Sequence, residues 1–291
     1  MSGIQDIRRV AVIGGGVMGN GIAQTVAQAG FEVTVVDITE EALERTRTRI
    51  GKSLDRVVKK GAQTREQADA TLARLSTSTD LEATGAEADH VIETVVEDFA
   101  IKSDVLRRLD GVCRDEVIFA SNTSQFSITS LAAVTGRPDR VIGSHWFNPP
   151  PVMKLIEIIR ALQTSDETLA TVIALAEQYG KETVVCQKDT PGFITSRLIA
   201  HLALEAARIV EEGIATADDV NRACQLAFNH AMGPLHTMDL SGLDTFLKVS
   251  DALHTQYGER FLPTQNLRSL VAAGDLGHKT GRGFSDYGEA S

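Results

Sequence analysis

Val10-Ala11-Val12-Ile13-Gly14-Gly15-Gly16-Val17-Met18-Gly19 is the stretch on which the architecture turns. Val10 to Ile13 is an unbroken apolar run, as expected of a short strand covered on both faces in a parallel sheet. Gly14, Gly16 and Gly19 then satisfy G-x-G-x-x-G. That pattern is weak alone and gains mechanical meaning where it follows a strand and opens a helix, as here. Gly14 allows the tight turn, Gly16 lets the backbone approach a pyrophosphate, and Gly19 permits close packing of helix on sheet. The N–H groups at the helix start, around Val17 and Met18, offer partial positive charge to phosphates without a lysine.

The next residues complete a βαβ unit. An alanine-rich segment from Gly21 to Ala29 reads as helix, closed by Gly30 as its C′ residue, and Phe31–Val36 reads as a second buried strand. Asp37 ends that strand, where a carboxylate accepts hydrogen bonds from an adenosine ribose. Ile38 and Thr39 follow, with no adjacent Arg or Lys to hold a 2′-phosphate, so the pattern favours NAD over NADP. The second cofactor motif and longer chain usual for an FAD fold are missing.

Strongly charged helical text runs from Glu40 to about Leu75, too long for one crossover and better read as a pair of helices. Strands are expected at His90–Val96, Val117–Ala120, Arg140–Phe147, Leu155–Ile159 and Thr183–Cys186. Before the last of these a helix has Thr164 as expected N-cap, Glu167 at N3 and Gly180 beyond its end. After Lys188 the composition changes. Asp189-Thr190-Pro191 signals a helix start, with Pro191 near N1, and the helix runs to about Glu212. Thr216–Phe228, Ser241–Tyr257 and Pro263–Ala273 also read as helices. The expected fold is therefore a Rossmann-like α/β domain with a mostly parallel sheet and a helical excursion over residues 1–187, then an all-α domain over 188–291.

The composition excludes several classes. With 43% hydrophobic and 23% charged residues, the 291-residue chain is ordinary for a globular protein, and no apolar run approaches a membrane span. A net charge of −10 argues against a nucleic-acid surface, so an anionic ligand must be captured by local features. Cys113, Cys186 and Cys224 are scattered, odd in number and without metal-ligand spacing; no metal site is expected. The short segment before the first strand leaves no room for a signal or transit peptide, and with reduced thiols the expected location is the cytoplasm.

The chemical signal lies in Gly143-Ser144-His145-Trp146-Phe147-Asn148-Pro149-Pro150-Pro151. His145 sits on a strand just before prolines that end ladder pairing. Glu157 lies in the next strand, and the midpoint of 145 and 157 is 151, inside the proline turn, so a hairpin-like return brings the two side chains opposite each other. A carboxylate on one imidazole nitrogen fixes the tautomer and leaves the other to move a proton, as a zinc-free alcohol dehydrogenase requires. A core histidine with a structural hydrogen bond is the bland alternative; the upstream glycine loop and the strand-end placement weigh against it. Ser121-Asn122-Thr123-Ser124 also follows a strand, where its hydroxyls are suited to position a substrate oxygen or a nicotinamide amide, with Asn122 and Ser124 as candidate cofactor contacts. As pattern alone it also reads as a loop of small polar residues.

Taken together, Gly14–Ala23, Ser121–Ser124, His145–Pro149, Met153–Glu157, Asp189–Arg197, Met232–Pro234, Gly242–Thr245 and Gly281–Phe284 resemble the 3-hydroxyacyl-CoA dehydrogenase family over nearly the whole chain. The length is similar to the short single-function form that acts on 3-hydroxybutyryl-CoA. The resemblance implies a homodimer formed through the helical domain and a CoA thioester substrate, oxidised at its 3-hydroxyl in fatty acid metabolism. By position it implies His145 as catalytic base, Glu157 as its orienting carboxylate and Ser124 as the contact to the reacting oxygen and nicotinamide. It further implies cofactor contacts at Asp37, Glu97, Lys102 and Asn148, and CoA contacts at Ser53 and Lys60. Lys52, Arg56, Lys59, Lys60 and Arg65 form a basic cluster suited to CoA phosphates, though a solvated helix face explains them equally. One departure stands out: Ser196 occupies the position where the family has asparagine, which shortens the side chain and exchanges an amide for a hydroxyl.

Two rival readings remain at this level. One is a dehydrogenase of a free hydroxy acid on the same scaffold, similar to the gulonate and carnitine enzymes. The other is a nucleotide-binding protein without catalysis, against which Ser124, His145 and Glu157 all speak. The catalytic lysine of the related 6-phosphogluconate-type dehydrogenases has no counterpart in the pattern.

Overall fold

The computed structural model describes residues 7–288, so the N-terminal residues on which the leader expectation rests lie largely outside the described residues. Two compact units are present, Met1–Thr190 and Pro191–Ser291. The first contains β1 (Arg9–Ile13), α1 (Val17–Gln28), β2 (Glu32–Val36), α2 (Glu40–Lys59), α3 (Arg65–Ala73), β3 (Leu75–Ser78), α4 (Leu81–Glu87) and β4 (His90–Glu93). It continues with α5 (Phe99–Asp110), β5 (Ile118–Ser121), α6 (Ile128–Ala132), β6 (Val141–Trp146), β7 (Leu155–Ile159), α7 (Asp166–Gln178) and β8 (Glu182–Cys186).

These strands form one eight-stranded sheet in the order β3-β2-β1-β4-β5-β6-β7-β8. Every neighbouring pair is parallel except β6 and β7. The central strands β4, β5 and β6 are buried along their whole length, so their apolar residues show no alternation and the polar ones they carry, Glu93 and His145 among them, are enclosed. Val10, Val12, Val33 and Val35 of the sheet pack with Ile22 and Val26 of α1 and Leu43, Ile50 and Leu54 of α2. Helix α2 is built for this role. Thr39 caps it by accepting from Ala42 N, Glu40 and Glu41 occupy its first turn, and Arg56 and Lys59 its last.

The helical excursion holds α2 and α3 and then returns as β3, a strand that the sequence does not announce. Leu75-Ser76-Thr77-Ser78 is the sheet edge, pairs only with β2 and is half-buried, so it carries none of the apolar density of its neighbours. Two helix starts also differ from the sequence reading. Ser165, not Thr164, caps α7 by accepting from Thr168 N, because the Thr164 hydroxyl is buried and donates to Val141 O. Pro191 does not begin a helix. Gly192 (φ +75°) and Phe193 (φ +45°) take left-handed conformations, and α8 (Thr195–Glu211) starts after them. Asp189 instead accepts from Ser127 Oγ at 2.6 Å and Thr129 N at 2.8 Å, so it supports the start of α6.

The second unit is helical: α8, α9 (Ala217–Phe228), α10 (Pro234–Ser241), α11 (Leu243–Tyr257) and α12 (Gln265–Ala273). Its core gathers Leu204, Ala207, Leu235, Met238, Phe246 and Leu267. Helix α10 is an element the sequence reading lacks; with eight residues it is too short to show a helical period. Asp239 on α10 is fully buried and ties down the C-terminal loop, accepting from Phe284 N at 2.9 Å and Tyr287 OH at 2.9 Å. No helix among the described residues is long and apolar enough to cross a membrane.

Candidate active site

The glycine loop joins β1 to α1, and each of its glycines is constrained differently. Gly14 has φ +102°, and a Cβ there would meet Thr94 O at 2.7 Å. A Cβ on Gly19 would overlap the Gly14 carbonyl oxygen, so this glycine closes the helix against the loop. Gly16 is the opposite case. Nothing lies within 4 Å of the place its Cβ would take, and the loop there faces open space. Helix α1 begins at that point with no side-chain cap and no acidic residue in its first turn. Its leading N–H groups and dipole are thus available to an anion, and the cradle fits a dinucleotide pyrophosphate.

Two residues outside the motif hold the loop in shape. Thr94, following β4, has its Oγ1 hydrogen shared between Gly14 O at 2.7 Å and Ile13 O at 3.0 Å, the consecutive carbonyls where β1 enters the turn. Thr46 of α2 donates to Gly15 O at 2.7 Å. Neither is signalled by the fingerprint, since both reach it through tertiary packing. Asp37 has a double role: Oδ2 accepts from Gly15 N at 2.8 Å and Oδ1 from Ile38 N at 2.7 Å. Its carboxylate therefore braces the loop, and the same carboxylate stands at the cavity wall where a ribose diol fits.

A cavity of about 820 Å³ runs along the carboxyl ends of the strands in this unit. Gly14, Gly16, Val17, Met18 and Asp37 line one part of it; Glu97, Asn122, Ser124, His145 and Asn148 line another. Ligands bind at this edge of open α/β sheets, where the strand order reverses between β1 and β4. A smaller cavity of about 440 Å³, with Arg9, Glu32, Arg74 and Glu87 in its walls, contains none of the candidate residues.

His145 and Glu157 are paired in register across the antiparallel strands β6 and β7. His145 Nδ1 lies 2.9 Å from Glu157 Oε2, and Glu157 is fully buried. A carboxylate only accepts, so Nδ1 carries the hydrogen. The Phe147 ring stands 4.7 Å from the imidazole, centroid to centroid. The turn that returns the chain from β6 to β7 is clamped by Lys181, whose Nζ donates to Pro150 O at 2.7 Å and Met153 O at 2.8 Å. Burial among these carbonyls pushes the Lys181 ammonium below its usual range. A Cβ on Gly21 of α1 would meet Pro150 Cδ at 2.7 Å, so the cofactor helix and the proline turn touch directly.

Ser124 is exposed in the loop after β5 and is held by Glu97, whose Oε1 accepts from Ser124 N at 2.9 Å and Thr123 Oγ1 at 2.5 Å. Asn122 Oδ1 accepts from Trp146 N at 2.8 Å and so joins this loop to the strand bearing His145. Lys102 has no exposed surface. Its Nζ is 2.8 Å from Glu93 Oε1 and 3.1 Å from Glu97 Oε2, so any influence on a ligand passes through Glu97. Ser53 and Lys60 lie on and at the end of α2, apart from the cavity walls, and Ser196 lies in the first turn of α8 in the helical unit. Glu93 escapes the sequence reading, although a carboxylate closing the apolar strand His90-Val91-Ile92-Glu93 is itself a signal.

Comparison with known proteins matches residues 9–190 to the 3-hydroxyacyl-CoA dehydrogenase NAD binding domain and residues 192–287 to the 3-hydroxyacyl-CoA dehydrogenase C-terminal domain. A probable 3-hydroxybutyryl-CoA dehydrogenase of Bacillus subtilis is 45% identical over 98% of this chain and 99% of its own length. The mitochondrial hydroxyacyl-coenzyme A dehydrogenase of Homo sapiens is 41% identical over 97% of this chain and 91% of its own. Among solved structures, the (S)-3-hydroxybutyryl-CoA dehydrogenase of Ralstonia eutropha superposes with a TM-score of 0.93 at 44% identity, covering 97% of this chain and 100% of that one.

Proposed function

The chain belongs to the 3-hydroxyacyl-CoA dehydrogenase family, and from that premise we infer that it is an NAD-dependent dehydrogenase oxidising the 3-hydroxyl of a short-chain 3-hydroxyacyl-CoA. The observation that carries the reading is the buried His145–Glu157 pair at the wall of the cavity that the glycine loop also lines.

Gly14, Gly16, Gly19 and the first turn of α1 cradle the pyrophosphate, and Asp37 takes the adenosine ribose. When bound, the nicotinamide supplies the hydride acceptor. His145 removes the hydroxyl proton at Nε2, since Nδ1–H is engaged by Glu157. Glu157 then stabilises the imidazolium, and in the reverse direction the same nitrogen returns the proton to the ketone. Ser124, fixed by Glu97, orients the substrate oxygen so that the reacting atoms are aligned before the step. Asn122 and Asn148 complete the polar lining, while Ser53 and Lys60 are assigned to the CoA and Ser196 to the catalytic set by their positions in the family pattern alone.

A second copy of the chain is the proposed partner. Leu198, Leu226 and Phe228 of the helical unit are 67%, 75% and 66% exposed, large apolar side chains that association would cover. The cytoplasm is the proposed location, and the three buried free thiols agree with a reducing compartment.

The test is NADH formation from 3-hydroxyacyl-CoA thioesters of increasing chain length, with NADP in parallel. Activity greatest at four carbons with NAD supports the reading. Silence across the series with NAD still bound would move the substrate to a free hydroxy acid.

A further inference from the structure

Glu93 takes no part in the proton transfer above, yet its carboxylate is fully enclosed beside the cavity. Oε1 accepts from Lys102 Nζ at 2.8 Å and Val95 N at 2.8 Å, and Oε2 accepts from Ser121 Oγ at 2.5 Å. Lys102 is equally buried and reaches Glu97 Oε2 at 3.1 Å. Glu97 stands at the outer end, 29% exposed, with its other oxygen on the Ser124 loop. Three charges thus run from the interior to the cavity wall in the order minus, plus, minus.

The order matters because of what each charge offsets. Lys102 between two carboxylates leaves one net negative charge, and the enclosed Glu93 holds Lys102 from the inner side. Glu97 therefore presents its charge outward. Were Glu93 neutral, Lys102 and Glu97 would cancel, and the cavity wall beside Ser124 would be neutral. In such a partly buried setting water screens the difference weakly. The oxidised nicotinamide ring is a cation and the reduced ring is neutral, so a charge at this wall distinguishes them.

We propose that Glu93 is a positioning residue that keeps Glu97 effectively anionic and thereby favours the oxidised over the reduced cofactor. The inference rests on the reading that the cavity takes NAD with its redox end beside Ser124 and His145. An ion pair serving only to fasten α5 to β4 would affect both cofactor forms alike, which separates the two roles.

Binding of NAD and NADH to the purified full-length protein, measured separately by calorimetry, tests this in two variants. Glu93→Gln keeps the shape and the Val95 hydrogen bond, with Ser121 Oγ turning to accept from the new amide, while removing the charge. It should weaken NAD by roughly five- to tenfold with NADH changed less than about twofold, as expected for one charge acting at short range in a medium of intermediate dielectric. Glu93→Gln with Lys102→Met removes both inner charges and restores the single negative charge on Glu97. Replacing a buried ion pair by neutral groups is commonly tolerated, so this variant remains measurable even if the single one does not fold. It should bring the NAD/NADH preference back to within about twofold of the wild type. Equal weakening of both forms by Glu93→Gln, or a double variant shifted toward NADH, overturns the proposal and leaves the cofactor reading intact. A wild-type protein that binds neither form overturns both.

Discussion

His145 and Glu157 face each other across the single antiparallel pair of the sheet, joined by a 2.9 Å hydrogen bond, with the carboxylate fully buried. A strand reversal at the active edge thus converts a separation of twelve residues into direct contact. The buried carboxylate leaves the imidazole one tautomer and one working nitrogen, on which the proposed chemistry depends.

Replacing His145 by Gln should lower turnover by about three orders of magnitude, the span general acid–base catalysis supplies. NAD affinity should stay within a few-fold, because the pyrophosphate and adenosine ribose are held at the glycine loop and Asp37, in the other part of the cavity. Steady-state rates with calorimetric titration check both halves; near wild-type turnover would end the assignment of His145. Glu157→Gln should reduce kcat by about a hundredfold with little change in KM, since it removes stabilisation that arises only as the imidazolium forms.

The glycine loop predicts two opposite phenotypes. Gly19→Ala should lower stability by about 1–3 kcal/mol, because its Cβ would overlap backbone that has nowhere to move. Gly16→Ala should leave the melting temperature unchanged, its Cβ entering open space, while weakening NAD at least tenfold by filling the phosphate cradle. Thermal unfolding and nucleotide titration on both proteins decide the matter.

Gly21→Ala is expected to act at a distance. Its Cβ would press Pro150 and Pro151, the turn that follows the strand of His145. Turnover should fall by about tenfold or more from a small misplacement of the base, with cofactor affinity nearly preserved. Unaltered kcat would show that the turn yields without moving His145.

Acid should destabilise the protein through His90. This residue is buried in β4, its Nδ1 3.1 Å from Ile118 O, and burial pushes its pKa down to about 4 against the partial support of that carbonyl. The unfolded chain binds the proton near pH 6.5, so between those values the unfolded state holds more protons than the folded one. The contribution is fully present above pH 6.5 and is lost as pH falls toward 4, reaching on the order of 3 kcal/mol. Denaturant unfolding of the wild type and His90→Asn across this range should give a flatter pH dependence in the variant; parallel curves would exclude His90 as the source.

Much of this molecule is legible in the chain because its information is local. The apolar run before Gly14, the three spaced glycines and Asp37 name a strand, a turn and a helix within one βαβ unit, and none needs a distant partner to be recognised. His145 and Glu157 are also readable, since a hairpin's register follows from the turn between its strands. The edge strand Leu75–Ser78, the short helix Pro234–Ser241 and the late start of α8 are not, because edge position, brevity and left-handed backbone leave no apolar period to detect. Tertiary structure alone decided the supports: Thr46 and Thr94 on the glycine loop, Lys181 on the proline turn, and Glu93 behind Lys102 and Glu97. Each is a polar side chain whose partner lies on another segment, and burial makes that partner obligatory only once the sheet has formed.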